Sequence, residues 1–239
     1  NLRISNENLL NEILNNYNEL KYYNASLTSQ DVAHYLETIK FFKEKNPQKK
    51  FIMFIFAGND FLEYKKIKKN YSNKIDNNLL RFYFNIKKKF DFHSKISFIL
   101  KNIKSNNLNN KVDEIKIKGK SFYFYKDYYV KEDQILNFSK EFEIYDKYLP
   151  NYIFIIPSKA QVYCKYLKNY KCDKNNYENI VRNNFLFKNI IIFDSTDYLR
   201  QQASSMLENE MILYDTDDTH LNEEGLSLLS KFVIRKIYE

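Results

Sequence analysis

Three apolar runs stand out from a polar background rich in lysine and asparagine: residues 51–56, 152–156 and 189–193. Each is nearly unbroken, without alternation, and rich in β-branched and aromatic residues. Such runs predict strands covered on both faces, as in a parallel sheet. Elsewhere the apolar positions recur at i, i+3 and i+4, which predicts helices. Leu9, Leu10, Ile13, Leu14 and Tyr17 share one face of a helix over residues 6–17. Val32, Tyr35, Leu36, Ile39 and Phe42 form the buried stripe of a second, which Thr28 or Ser29 can cap. Val162, Tyr166 and Leu167 face inward on a helix expected over 159–170. Another is expected over 196–207. The last has Leu226, Leu229, Phe232, Val233 and Ile237 as its core face.

Strands alternating with helices predict an α/β chain with a mostly parallel central sheet. The 239 residues suit a single domain with a sizeable core. Residues 62–148 carry no sustained period and are read as an insertion or cap within that domain. Short strands are expected there over 112–125, and helices over 78–89, 92–104 and 132–148.

Composition narrows the class. Apolar content of 44% and aromatic content of 17% describe a folded chain, not a disordered one. No apolar run approaches the ~20 residues of a membrane-spanning helix. The net charge of +8 could attract an anionic partner. The lysines are scattered, however, and no nucleic-acid motif accompanies them, so no nucleic-acid partner is expected. Scarce Gly, Pro and Trp beside abundant Lys, Asn, Ile, Tyr and Phe fit the codon usage of an AT-rich genome. Residue 1 is Asn, so the chain is expected to start inside a longer gene product, and a removed export signal stays open. Cys164 and Cys172 lack zinc-site spacing. A local disulfide and two separate thiols both remain open. Asp215, Asp217 and Asp218 lack the other positions of a calcium loop. With three glycines in all, no Gly-rich phosphate cradle is present. No metal and no cofactor are expected.

The candidate chemistry lies where predicted strands end. The first run closes in Ala57-Gly58-Asn59-Asp60, and open α/β sheets bind ligands at the carboxyl ends of their strands. Far downstream, Tyr214-Asp215-Thr216-Asp217-Asp218-Thr219-His220-Leu221-Asn222 brings a histidine to the mouth of the last helix. An imidazole can take the proton of a nucleophile if a carboxylate holds it in one tautomer. Asp218 suits an Asp-x-His pairing and Asp217 an Asp-x-x-His pairing. The Asn59 amide can donate to an oxyanion, and removing such a donor costs about 2.7–4 kcal/mol. Blander roles compete: His220 as a helix cap, Asn59 as a turn residue, Ser29 as a helix cap, Asp60 as a loop-stabilising acceptor. His34 and His93 are expected to be structural.

These blocks resemble the SGNH (GDSL-type) hydrolase superfamily, especially the branch acting on polysaccharide esters. Gly58-Asn59-Asp60 looks like the block with the oxyanion-hole asparagine. Asp218-Thr219-His220-Leu221-Asn222, with Gly225 following, looks like the block with the aspartate and histidine. Ile155-Ile156-Pro157-Ser158 resembles the strand end between them. Two departures stand out. Ser29 or Ser26 occupies the place of the family's glycine block. No Gly-Asp-Ser block is present, and the helix over 6–17 looks like the one that follows the nucleophile, so the first strand and its serine are expected before Asn1. The resemblance implies a three-layer α/β/α sandwich. It also implies a serine esterase acting on an O-acetyl ester of a carbohydrate, with His220 as base, Asp218 or Asp217 as its partner, and Asn59, Gly58 and Ser29 around the oxyanion. An O-acetyltransferase would use the same residues. A catalytically inactive glycan-binding relative is the alternative of another class. The branch favours an exported, cell-envelope location.

Overall fold

A computed structural model describes residues 10, 14–16, 22, 23, 25, 32–58, 60, 112–125, 143–168, 170, 172 and 190–238. The elements are α1 (Val32–Lys45), β1 (Ile52–Phe56), β2 (Val112–Ile117) and β3 (Lys120–Tyr125), then a 3₁₀ turn (Glu143–Tyr148) and β4 (Tyr152–Ile156). The short α2 (Lys159–Val162), a second 3₁₀ turn (Cys164–Tyr166), β5 (Ile191–Asp194), α3 (Thr196–Glu208) and α4 (Glu223–Tyr238) complete them. The protein is therefore a mixed α/β chain.

All three apolar runs become strands, and they lie together. β1, β4 and β5 form a parallel sheet in that order, with Phe56 opposite Ile156 and Ile155 opposite Asp194. Alternation along the strands sorts their side chains into two clusters. Met53, Ile55, Ile153, Ile155 and Ile192 pack with Val32, Leu36 and Ile39 of α1 and with Tyr145 and Leu149. Phe154 packs with Leu199, Ala203 and Leu207 of α3 and Leu229, Phe232 and Val233 of α4. Phe54, Phe154 and Phe193 run as a ladder across the three strands, with ring centroids 5.7 and 5.1 Å apart.

Burial departs from the expectation for two of the strands. Only β4, with a neighbour on each side, has three consecutive buried residues. β1 alternates between half-buried and buried, and Ile191 at the start of β5 is 47% exposed. Among the described residues those two strands have a single neighbour each. Phe42, expected in the α1 stripe, is also exposed. At 100° per residue it lies about 80° from Val32, at the margin of the stripe.

The helix expected over 159–170 breaks at Tyr163. Cys164 and Cys172 are joined in a disulfide with their Cα atoms 5.2 Å apart. Eight residues of straight helix would separate them by about 12 Å. The chain must therefore turn back, and only Lys159–Val162 is α-helical, followed by a 3₁₀ turn. Similarly, the described end of the helix expected over 132–148 is a 3₁₀ turn.

Residues 112–125 form a β2–β3 hairpin, with Lys118 and Gly119 both at positive φ in the turn. Phe122 and Phe124 of β3 enter the core beside Tyr163. Asn59, Ser26, Ser29 and His93 lie outside the described residues, as do the helices expected over 78–89 and 92–104. Of the first helix, Leu10 and residues 14–16 are described as helical. Among the described residues no helix is long and apolar enough to cross a membrane.

Candidate active site

The Asp/His loop is closed by short contacts between its own ends. Tyr214 and Leu221 form an antiparallel bridge, and the Asp215 N–H donates to the His220 carbonyl at 3.1 Å. Just beyond, the Asn222 N–H donates to the Leu213 carbonyl at 3.0 Å. Asn222 also begins α4: its side-chain oxygen accepts from the Gly225 N–H at 3.0 Å, and its amide nitrogen donates to the Ile212 carbonyl at 2.8 Å. This is the N-cap arrangement that satisfies an otherwise orphaned helical N–H. Asn222, not His220, supplies the cap, and the imidazole is left for other partners.

Two buried tyrosines tie the loop to the sheet. The Tyr214 hydroxyl donates to the Pro157 carbonyl at 2.6 Å, just past the carboxyl end of β4. The Leu213 N–H donates to the Tyr163 hydroxyl at 3.0 Å. Burial pushes the Tyr163 phenol up to about 12 and the Tyr214 phenol well above its ordinary value, so both stay neutral. The loop therefore sits where β4 ends, the edge at which parallel sheets present their chemistry.

Within the loop, Asp218 Oδ1 lies 2.9 Å from His220 Nδ1. The same oxygen accepts from the Thr219 N–H at 2.5 Å. These contacts hold the Asp218 carboxyl down at about 2, the hydrogen bond with His220 contributing most, against the upward pull of desolvation. The pair is open to solvent, with the imidazole side chain 66% and the carboxylate 50% exposed. Asp217 is exposed, and its carbonyl accepts from the Tyr125 hydroxyl at 2.9 Å. Burial raises the Tyr125 phenol, and the Asp218 and Asp217 carboxylates add to that rise.

The periodicity does not single out Lys159, yet it lies at the centre of this region. Its side chain is almost wholly buried, and Nζ donates to the carbonyls of Tyr123, Asp215, Thr216 and Asp218 at 2.6–3.0 Å. Burial lowers its ammonium to about 8, opposed by the carboxylates of Asp217, Asp218 and Asp215. One signal in the sequence could have found it. Lysine at the first position of a helix opposes the helix dipole, so a lysine directly after a strand-ending Pro-Ser needs a partner elsewhere.

Gly58 lies two residues past the carboxyl end of β1 and is buried. Because β1 and β4 are parallel and in register, with the Ala57 N–H donating to the Ile156 carbonyl, Gly58 shares the rim that carries the loop. Asp60 accepts from the Phe56 N–H at 2.7 Å and the Tyr35 hydroxyl at 3.3 Å, so it stabilises the turn. Ser158 caps α2 in a reciprocal capping box with Gln161. The crevice between hairpin and α2, lined by Tyr123, Tyr125, Lys159 and Thr219, encloses about 10 Å³, room for one water. Among the described residues no group of three or more His, Cys, Asp or Glu is placed to hold a metal ion.

No protein-family model, curated protein or solved structure matches the chain.

Proposed function

We propose that this chain belongs to an SGNH-type serine esterase with a three-layer α/β/α sandwich, acting on an acyl ester, most simply an O-acetyl group on a carbohydrate. The observation that carries this is the 2.9 Å pairing of Asp218 with His220 at the carboxyl edge of a parallel sheet. With Asp218 ionised and accepting at Nδ1, the neutral imidazole carries its proton there and turns a lone pair at Nε2 outward. A serine hydroxyl presented to Nε2 gives up its proton as its oxygen bonds the acyl carbon. The carbonyl pair moves to the oxygen, where the Asn59 amide and the Gly58 N–H are the proposed donors. Collapse expels the sugar oxygen, which takes the proton from His220. Water or a second sugar hydroxyl then releases the acyl group by the same route, giving hydrolysis or transfer.

The test is labelling of the natural full-length protein with a fluorophosphonate, followed by peptide mapping. Covalent labelling of one serine, lost in His220→Gln, is the expected result. The competing reading is a glycan-binding relative without turnover. It draws on exposed aromatics such as Tyr23 and Phe41, with Lys49 over the first ring and Lys45 over the second. Glycan binding with no labelled serine would replace the esterase by that alternative.

A further inference from the structure

We propose that Lys159 is the positioning residue of the Asp218–His220 pair, acting through the main chain of the loop that carries them. The inference rests on the proposed function for its catalytic meaning, though its geometry stands apart from it. Four successive carbonyls, from Asp215 to Asp218, are all taken. Lys159 Nζ holds Asp215, Thr216 and Asp218 at 2.6, 2.8 and 3.0 Å. The Tyr125 hydroxyl holds Asp217 at 2.9 Å, and the Tyr123 N–H adds a second bond to Thr216 at 2.9 Å. Lys159 reaches the Tyr123 carbonyl as well, at 3.0 Å. An ammonium has three N–H donors, so four acceptors are shared among them and no proton is left unused.

The consequences fall on one residue. The Asp218 carbonyl is fixed by Lys159 while the Asp218 carboxylate holds His220. Moving the ammonium moves the peptide from which that carboxylate projects. A solvated lysine could not fix a loop in this way, because its side chain keeps its rotamer freedom and its water. Lys159 has neither: it is 3% exposed, and its Nζ stands 5.7 and 5.4 Å from the centroids of Phe122 and Phe124. Burying an ammonium carries a large desolvation penalty that only a full set of acceptors offsets. Here the acceptors are three loop carbonyls and the Tyr123 carbonyl of the hairpin, with Asp215, Asp217 and Asp218 as the nearby anions. The loop wraps an internal cation, and the hairpin closes the far side.

The experiment reads the His220 tautomer by ¹⁵N chemical shifts of its ring in folded, labelled protein, at a pH where the ring is neutral. His220→Gln assigns the signal. The proton is expected on Nδ1 in the unaltered chain. In Lys159→Met that Nδ1–H population is lost, as it is in Asp218→Asn, because the carboxylate is no longer held opposite the ring. A lysine that only adds stability would leave the tautomer of the folded variant unchanged, and that result overturns the proposal. Should Lys159→Met fail to fold, Lys159→Gln keeps a buried polar end with two N–H donors in place of three. A partial loss of the Nδ1–H form supports the proposal, and an unchanged tautomer refutes it. The readout needs no turnover. A Lys159-dependent tautomer in a protein that never labels with fluorophosphonate removes the esterase alone. A labelled enzyme with a Lys159-independent tautomer removes the positioning role alone.

Discussion

Asp218 Oδ1 lies 2.9 Å from His220 Nδ1, across a single intervening residue of the same loop. Two of the three aspartates before the histidine are candidate partners for it, and geometry distinguishes them. Asp218 offers its carboxylate to the ring, whereas Asp217 offers its carbonyl to Tyr125. On the proposed esterase function, Asp218→Asn is therefore expected to lower turnover of an activated acetyl ester on the order of 10²- to 10⁴-fold, while Asp217→Asn changes it little. Steady-state kinetics on the natural full-length protein decide this. Equal losses in the two variants would reject the assignment.

The same contact has a signature in acid. The Asp218 carboxyl is held down from 3.8 to about 2 in the folded chain, chiefly by its bond with His220. A carboxylate depressed on folding contributes stability above its unfolded value, and that stability drains away as pH falls through the folded one. The window is thus about pH 4 down to about pH 2. Because the pair is half-exposed, solvent screening keeps the contribution below about 1 kcal/mol. Urea midpoints measured across this range should fall more steeply in the unaltered chain than in Asp218→Asn. Parallel curves would mean that the bond does not persist in solution.

Gly225 sits in the first turn of α4 against the loop. A Cβ there would meet the Leu213 carbonyl oxygen at 2.2 Å and Leu221 Cδ2 at 2.8 Å. The Leu213 carbonyl already accepts from the Asn222 N–H, so it has little freedom to retreat. Alanine favours a helix interior over glycine by about 1 kcal/mol. The clash outweighs that gain, and Gly225→Ala is expected to lose about 1–3 kcal/mol. At this chain length each kcal/mol lowers Tm by about 2–4 °C. Thermal unfolding followed by circular dichroism measures it, since the chain has no tryptophan. An unchanged or raised Tm would show that the helix start can shift away from the loop.

The Cys164–Cys172 disulfide closes a short loop with a sequence separation of 8. Loop-closure entropy for a ring of this size predicts a loss of about 2–3 kcal/mol on reduction. Cys164 is almost fully buried beside Tyr163, so alkylation after reduction should prevent repacking. Urea unfolding with and without reductant gives the difference. No change would place the stability of this corner in its tyrosine packing.

Much of the fold was legible because its signals are local. An unbroken run such as Tyr152–Ile156 can be satisfied only by cover on both faces, and it became the middle strand. The periodicity of Leu226, Leu229, Phe232 and Val233 does the same for α4, whose four residues are buried. An aspartate beside His220 was legible for the same reason, since a spacing of two or three residues limits how far apart the groups can be, but the choice between Asp218 and Asp217 was not. The helix expected through Tyr170 was not, because a covalent bond to Cys172 overrides a helical pattern. Phe42 and Ile191 kept apolar patterns but stayed exposed, since burial depends on what packs alongside.

By itself the sequence determined the strand-forming runs, the α4 stripe and the presence of a carboxylate within reach of His220. These depend on backbone period and on neighbours a few residues apart. Only the tertiary structure decided that Lys159 meets the carbonyls of Asp215, Thr216 and Asp218, which follow it by more than fifty residues. It alone brought Tyr123 and Tyr125 of the hairpin against that same loop. Carbonyl acceptors belong to every residue and leave no mark in composition or spacing. A buried cation finds them through the path of the folded chain, and that path is set by packing across the whole domain.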